Sequence, residues 1–61
     1  MNSDIKNAAN YVYTKNYTRG KKLLDTIYKS WSNDEIKLDT LELDYLIQLT
    51  LICDRELYER G

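Results

Sequence analysis

Residues Leu38 to Tyr58 read LDTLELDYLIQLTLICDRELY and hold most of the chain's large apolar side chains. Wound as a helix at about 100° per residue, the stretch gathers Leu41, Tyr45, Leu46, Leu49, Ile52, Cys53 and Leu57 in one broad sector. Leu43, Ile47, Leu51 and Tyr58 fall in a second sector beside it, and Asp44, Gln48 and Arg55 form the one clear polar stripe. A helix that is apolar nearly all round is buried on more than one side. Short neighbours can cover the first sector; the second still needs a partner.

The same letters also alternate, from Leu41 through Leu43, Tyr45, Ile47, Leu49 and Leu51 to Cys53, which is the period of a strand. Helix is the better expectation. The patterned run is far longer than the usual ~5–6 residue strand, and no Gly, Pro or Asn divides it. Leucine and glutamate, which it uses freely, are good helix formers.

Length sharpens the need for a partner. A chain of 61 residues is one domain at most, and a single core of that size rarely supplies more than ~3–5 kcal/mol without a staple. The staples can be checked one by one. Cys53 is the only cysteine, so no disulfide forms within the chain, and histidine is absent, which removes the usual zinc sites. Regular helix packing, self-association or another protein remains.

Charge is unevenly spread. Residues 1–30 carry six basic side chains against two acidic ones, whereas residues 31–61 carry three against eight. The two halves are expected to fold against each other with complementary rims. An alternative gives Lys15, Arg19, Lys21, Lys22 and Lys29 a nucleic-acid-binding role, with Tyr11, Tyr13 and Tyr17 nearby to stack on bases. Against it, Asp25 interrupts the basic face, and no helix-turn-helix pattern is evident.

The first residues, MNSDIKN, are too polar for the apolar core of a signal peptide. No apolar run exceeds three residues, so no membrane span is expected. A lone cysteine suits a reducing cytoplasm, and the Lys-, Asn-, Ile- and Tyr-rich usage suits an AT-rich bacterial or phage genome.

Along the chain, Ser3 is a candidate N-cap and Asp4 complements the helix dipole. Ile5, Ala8, Ala9 and Val12 then share one face of a helix over about residues 4–16. Tyr17 and Thr18 make the turn, with Thr18 as cap, and a second helix over about 19–31 sets Gly20, Leu23, Leu24, Ile27 and Trp31 on one face. Gly20 in mid-face implies close approach of the first helix; the alternative makes it a left-handed cap.

Ala8, Tyr11, Tyr17, Gly20 and Leu24 stand at the spacing of a tetratricopeptide-like unit, which residues 3–32 resemble. The family's early Trp is Asp4 here, its turn glycine is replaced by Lys15 and Asn16, and its closing proline is Ser32. The resemblance implies a helical hairpin but no peptide-binding groove. Beyond it lie two candidate capping boxes, Ser32 to Glu35 and Asp39 to Glu42. They leave two readings: one helix from 33 to about 59, or a short turn of helix over 33–37 followed by a main helix over 40–59.

Few residues suggest chemistry. Cys53 sits in mid-helix between Leu49 and Leu57, a place for packing rather than for a reactive thiolate. Without histidine the usual general base is missing. The acidic residues lack the glycine-turned loop of a calcium site, and no metal or cofactor is expected. Thr40-Leu41-Glu42-Leu43-Asp44, followed by Leu46-Ile47, resembles the Ser-Gln-Glu-Leu-Asp signature of small helical-hairpin phosphatases that act on sporulation response regulators. That resemblance would make Glu42 and Asp44 the residues to test, although Leu41 stands where the signature has glutamine.

The expectation is an all-α domain, an antiparallel helical hairpin closed by a long C-terminal helical segment and self-associated through it. Its expected role is non-catalytic: a small regulator or adaptor, of the phage or bacterial inhibitor kind, that binds a protein partner or itself through Leu43, Ile47, Leu51 and Tyr58. A response-regulator phosphatase and a small nucleic-acid-binding regulator are the alternatives.

Overall fold

The computed structural model describes residues 3–60, with side chains through residue 58. Three helices occur among the described residues, α1 (Ser3–Tyr13), α2 (Tyr17–Ser32) and α3 (Thr40–Arg60), and no strand does. The alternating pattern of Leu41 to Cys53 therefore belongs to a helix. At 1.5 Å per residue α3 is ~32 Å long, which accounts for the longest dimension of the 33 × 19 × 17 Å molecule.

α1 stops at Tyr13, three residues before the expected end, because Lys15 takes a left-handed backbone with φ 64°. The Asn16 N–H then donates to the Tyr11 carbonyl at 2.8 Å, and the Lys15 N–H donates to the Val12 carbonyl at 3.1 Å. This paired arrangement closes the exposed end of a helix and normally uses glycine at the left-handed position. α2 begins at Tyr17 rather than 19, so Thr18 lies inside its first turn, and Asn16 takes the cap position without a side-chain cap bond. At the other terminus Ser3 already lies within α1 instead of capping it.

Asp34 ends α2 in the same way, with φ 61°. The Glu35 N–H donates to the Ser30 carbonyl at 2.9 Å, and the Asp34 N–H donates to the Trp31 carbonyl at 3.1 Å. Ser32 is thus the last residue of α2, and neither the single helix from 33 nor the helical turn over 33–37 forms. The second capping box does form. Asp39 Oδ1 accepts from the Glu42 N–H at 2.7 Å, and Glu42 Oε1 accepts the Asp39 N–H at a longer 3.4 Å. Between the two, Ile36 and Leu38 turn inward and pack half-buried on the core, which holds the connector down.

All three helices touch one another. The core is Ile5, Ala8, Ala9 and Val12 from α1, Leu24 and Ile27 from α2, and Leu46, Leu49 and Cys53 from α3. Fully burying a side chain such as Leu24 or Leu46 contributes ~1.5–3 kcal/mol. No polar or charged residue is buried among the described residues, so the interior carries no desolvation penalty to offset.

Gly20 marks a close approach. A Cβ placed on it would lie 3.4 Å from Tyr11 Cβ, 3.4 Å from Val12 Cγ2 and 3.5 Å from Cys53 Sγ. Its φ is not positive, so it is a contact point and not a left-handed cap. Side chains of α1 and α3 both reach α2 here.

Candidate interaction surface

The faces of α3 differ from the expected sectors at their margins. Leu46, Leu49 and Cys53 are buried, with Tyr45 and Leu57 half-buried beside them, but Leu41 and Ile52 from the same sector are exposed. Leu43, expected on the outer sector, is half-buried against the core. α1 and α2 seat on an arc rotated from Leu41 and Ile52 towards Leu43. A helical wheel ranks side chains around an axis but does not know at what angle the neighbours will sit.

The outward arc is the result. Leu41 is 81% exposed, Ile47 37%, Leu51 56%, Ile52 40% and Tyr58 87%; on α1 and α2 only Tyr13 is a comparably exposed large apolar residue among the described positions. Asp44, Gln48 and Arg55 run down the middle of this arc, all exposed. Ile47, Leu51 and Tyr58 flank them on one side, Leu41 and Ile52 on the other. Five large apolar side chains of this 21-residue helix are therefore held in regular geometry, in two strips, facing away from the bundle.

The basic residues do not form one face. Lys15, Arg19, Lys22 and Lys29 are exposed, but Lys21 turns towards α3. Its Nζ lies 2.9 Å from Asp54 Oδ1 and 3.4 Å from Asp25 Oδ1. The hydrogen bond to Asp54 raises the Lys21 pKa, against a smaller opposing effect of burial. This pair joins the basic first half to the acidic second half. One member of the expected basic surface is thus held by carboxylates.

Glu42 and Asp44, the acidic pair of the phosphatase-like stretch, have different surroundings. Glu42 is engaged in the capping box at the start of α3, while Asp44 lies out on the exposed arc. Cys53 is fully buried beside Gly20. Burial, and then the nearby Asp54 carboxylate, push its thiol pKa up, the direction opposite to that of a reactive cysteine. Among the described residues no cluster of metal-ligating side chains occurs, and no helix is long and apolar enough to cross a membrane.

One feature carried no sequence signal. The Tyr13 and Tyr45 hydroxyls meet at 2.8 Å across 32 residues of chain, joining the end of α1 to the second turn of α3. They line an open cleft of about 490 Å³ together with Lys6, Asn7, Ala9 and Asn10. The hydrogen bond to Tyr13, with a smaller effect of burial, raises the Tyr45 pKa. Two tyrosines at the margins of two separate amphipathic faces gave no reason to pair them.

Compared with known protein families, with curated proteins and with solved structures, the chain matches none of them.

Proposed function

We propose that this chain is a small non-catalytic regulator or adaptor that acts by binding protein through the outward arc of α3. An antiparallel α1–α2 hairpin serves as the support that keeps the arc straight and presented. The observation that carries this reading is the exposure of Leu41, Ile47, Leu51, Ile52 and Tyr58 along one helix. Large apolar side chains exposed together along one helix, here in two strips on either side of Asp44, Gln48 and Arg55, mark an interface, whereas singly scattered apolar side chains do not. The interior chemistry agrees: the one thiol is buried and held protonated, and α3 begins on a carboxylate pair engaged in helix capping. What the fold invests in is a surface.

The test uses the wild-type chain and Leu51→Asp as baits in extracts of the source cells. A charge at Leu51 disrupts the arc without touching the core, because that side chain is more than half exposed. Wild-type protein should retain a partner, or further copies of itself, at least tenfold over the variant. Equal retention by both baits would remove the outward arc from any binding role.

A further inference from the structure

The outward arc of α3 carries charges that complement one another when the helix is reversed on itself. Leu41, Asp44, Gln48, Leu51, Arg55 and Tyr58 follow one another at spacings of 3, 4, 3, 4 and 3 residues. That is the a/d spacing of a coiled-coil seam. In an antiparallel pair of such seams each a residue faces a d residue of the other helix. Reversing this seam on itself sets Leu41 against Tyr58, Asp44 against Arg55 and Gln48 against Leu51, and every layer then recurs once more by the two-fold axis.

From this we infer that the partner of the outward arc is a second copy of this chain, docked α3 to α3 in antiparallel orientation about a two-fold axis between Leu49 and Thr50. The inference rests on the reading of that arc as an interface and names what it binds. Charge supplies the orientation. A parallel pair would oppose Asp44 to Asp44 and Arg55 to Arg55, two like-charge layers in one seam. The antiparallel pair turns both into ion pairs, and each of the six seam residues faces another, with Gln48 against the apolar Leu51. Moving the register by one heptad either opposes Arg55 to Leu51 or leaves Arg55 and Tyr58 beyond the contact. Arg55 already has an interaction within its own chain, and its guanidinium carries five N–H donors, so it accommodates the carboxylate of the second copy as well. Apolar layers at both ends of the seam hold the copies together, and polar layers inside it set the register, the role that buried polar pairs best perform in coiled coils.

A specific interface buries upward of about 1,000 Å² in total, half from each copy, and the chain exposes 4561 Å². From Leu41 to Tyr58 the seam runs ~26 Å, most of the 33 Å length of the molecule. Ile47 and Ile52 flank it on opposite sides and widen the apolar contact.

Sedimentation equilibrium on four proteins tests the inference: wild type, Asp44→Arg, Arg55→Asp and the double exchange. Both positions are exposed, so the variants should keep the helicity of the wild type, checked by circular dichroism. Wild type should be dimeric, each single exchange should raise the dimer dissociation constant at least tenfold, and the double exchange should return it to within about threefold. Orientation is read by oxidising Leu41→Cys and Tyr58→Cys proteins separately and mixed, since Cys53 is buried. Covalent dimers should appear efficiently only in the mixture. Efficient self-linking of each variant, or failure of the double exchange to restore pairing, would overturn the antiparallel register. A wild type that stays monomeric but retains another protein through Leu51 would overturn self-pairing and leave the binding role standing.

Discussion

The Lys21 ammonium reaches across from α2 to the Asp54 carboxylate of α3 at 2.9 Å while also holding Asp25 at 3.4 Å. It is a contact through which the basic half of the chain meets the acidic half. The Lys21 side chain is 30% exposed and the Asp54 side chain 51%, so solvent screens the pair. Asp54→Asn should therefore lower stability by no more than about 1 kcal/mol, measured by urea denaturation, with the loss shrinking as salt is raised. The pKa of Lys21 is raised by the contact. Its contribution is accordingly whole at neutral pH and fades as pH climbs through the raised value, above roughly 10.4.

Tyr45 titrates in the same alkaline region and with the same sign. Its pKa is raised first by the hydrogen bond with Tyr13, so the folded state holds this proton more tightly than the unfolded chain does. The stabilisation is present below about pH 10, the ordinary tyrosine value, and is lost as pH rises past the folded value. Tyr13→Phe should bring the Tyr45 titration down towards that ordinary value, followed by NMR of ring-labelled tyrosine. An unchanged Tyr45 titration would show that the two hydroxyls do not share the bond in solution.

Among the described residues two non-glycine positions hold left-handed backbone, Lys15 at φ 64° and Asp34 at φ 61°. Left-handed conformation disfavours side chains by roughly 1–2 kcal/mol, less for Asp and Asn, which bond locally to the backbone. Lys15→Gly and Asp34→Gly should both raise the melting temperature, and Lys15→Gly should do so more. The gain is partly offset by the greater freedom glycine adds to the unfolded chain, so about 0.5–1 kcal/mol is expected for Lys15→Gly. The reverse order would mean that the Lys15 turn is supported by something other than its backbone bonds.

At Gly20 the space is enough for one methyl group and little else. The three neighbours of an added Cβ stand at 3.4, 3.4 and 3.5 Å, at the tight edge of ordinary contact. Gly20→Ala should be neutral to stabilising, by up to about 1 kcal/mol from helix propensity. Gly20→Val, which pushes further atoms towards Val12 and Cys53, should lose about 1–3 kcal/mol by overpacking. Thiol labelling gives a companion measurement: Cys53 should react with a disulfide reagent only as fast as the chain opens, and faster in Gly20→Val.

Leu46 and Leu51 separate the two faces of α3. Leu46 is fully buried and Leu51 is 56% exposed. Leu46→Ala should reduce unfolding free energy by about 2–5 kcal/mol, enough to unfold much of a domain this small. Leu51→Ala should change the stability of an isolated copy by less than about 0.5 kcal/mol. A large loss at Leu51 in dilute protein would place that side chain inside the folded unit.

The buried faces of α1 and α2 were readable from the chain because one period decides them. Ile5, Ala8, Ala9 and Val12, and Gly20, Leu24 and Ile27, are buried where helical spacing put them, while Leu23 and Trp31 of the same expected face are only half-buried. The ends of these helices were not readable, since Lys15 and Asp34 perform a turn that glycine usually marks. The neighbouring capping boxes were also locally equivalent. Asp39–Glu42 is the one that forms, with Ile36 and Leu38 packed on the core between α2 and α3. On α3 the outward positions of Ile47, Leu51 and Tyr58 follow from the wheel, but Leu41, Leu43 and Ile52 depend on where α1 and α2 seat. The Tyr13–Tyr45 bond depends on that seating entirely.

The connectors carry one more consequence, for the time the chain spends unfolded. Three residues join α1 to α2 and seven join α2 to α3, so most native contacts close over short stretches of chain. Helical proteins with such local contacts fold in microseconds to milliseconds. For a helix as apolar around its girth as α3, this brevity matters more than usual. Half-made molecules that expose its inner and outer faces together are the species most prone to aggregate, and quick closure over Ile36 and Leu38 keeps them few.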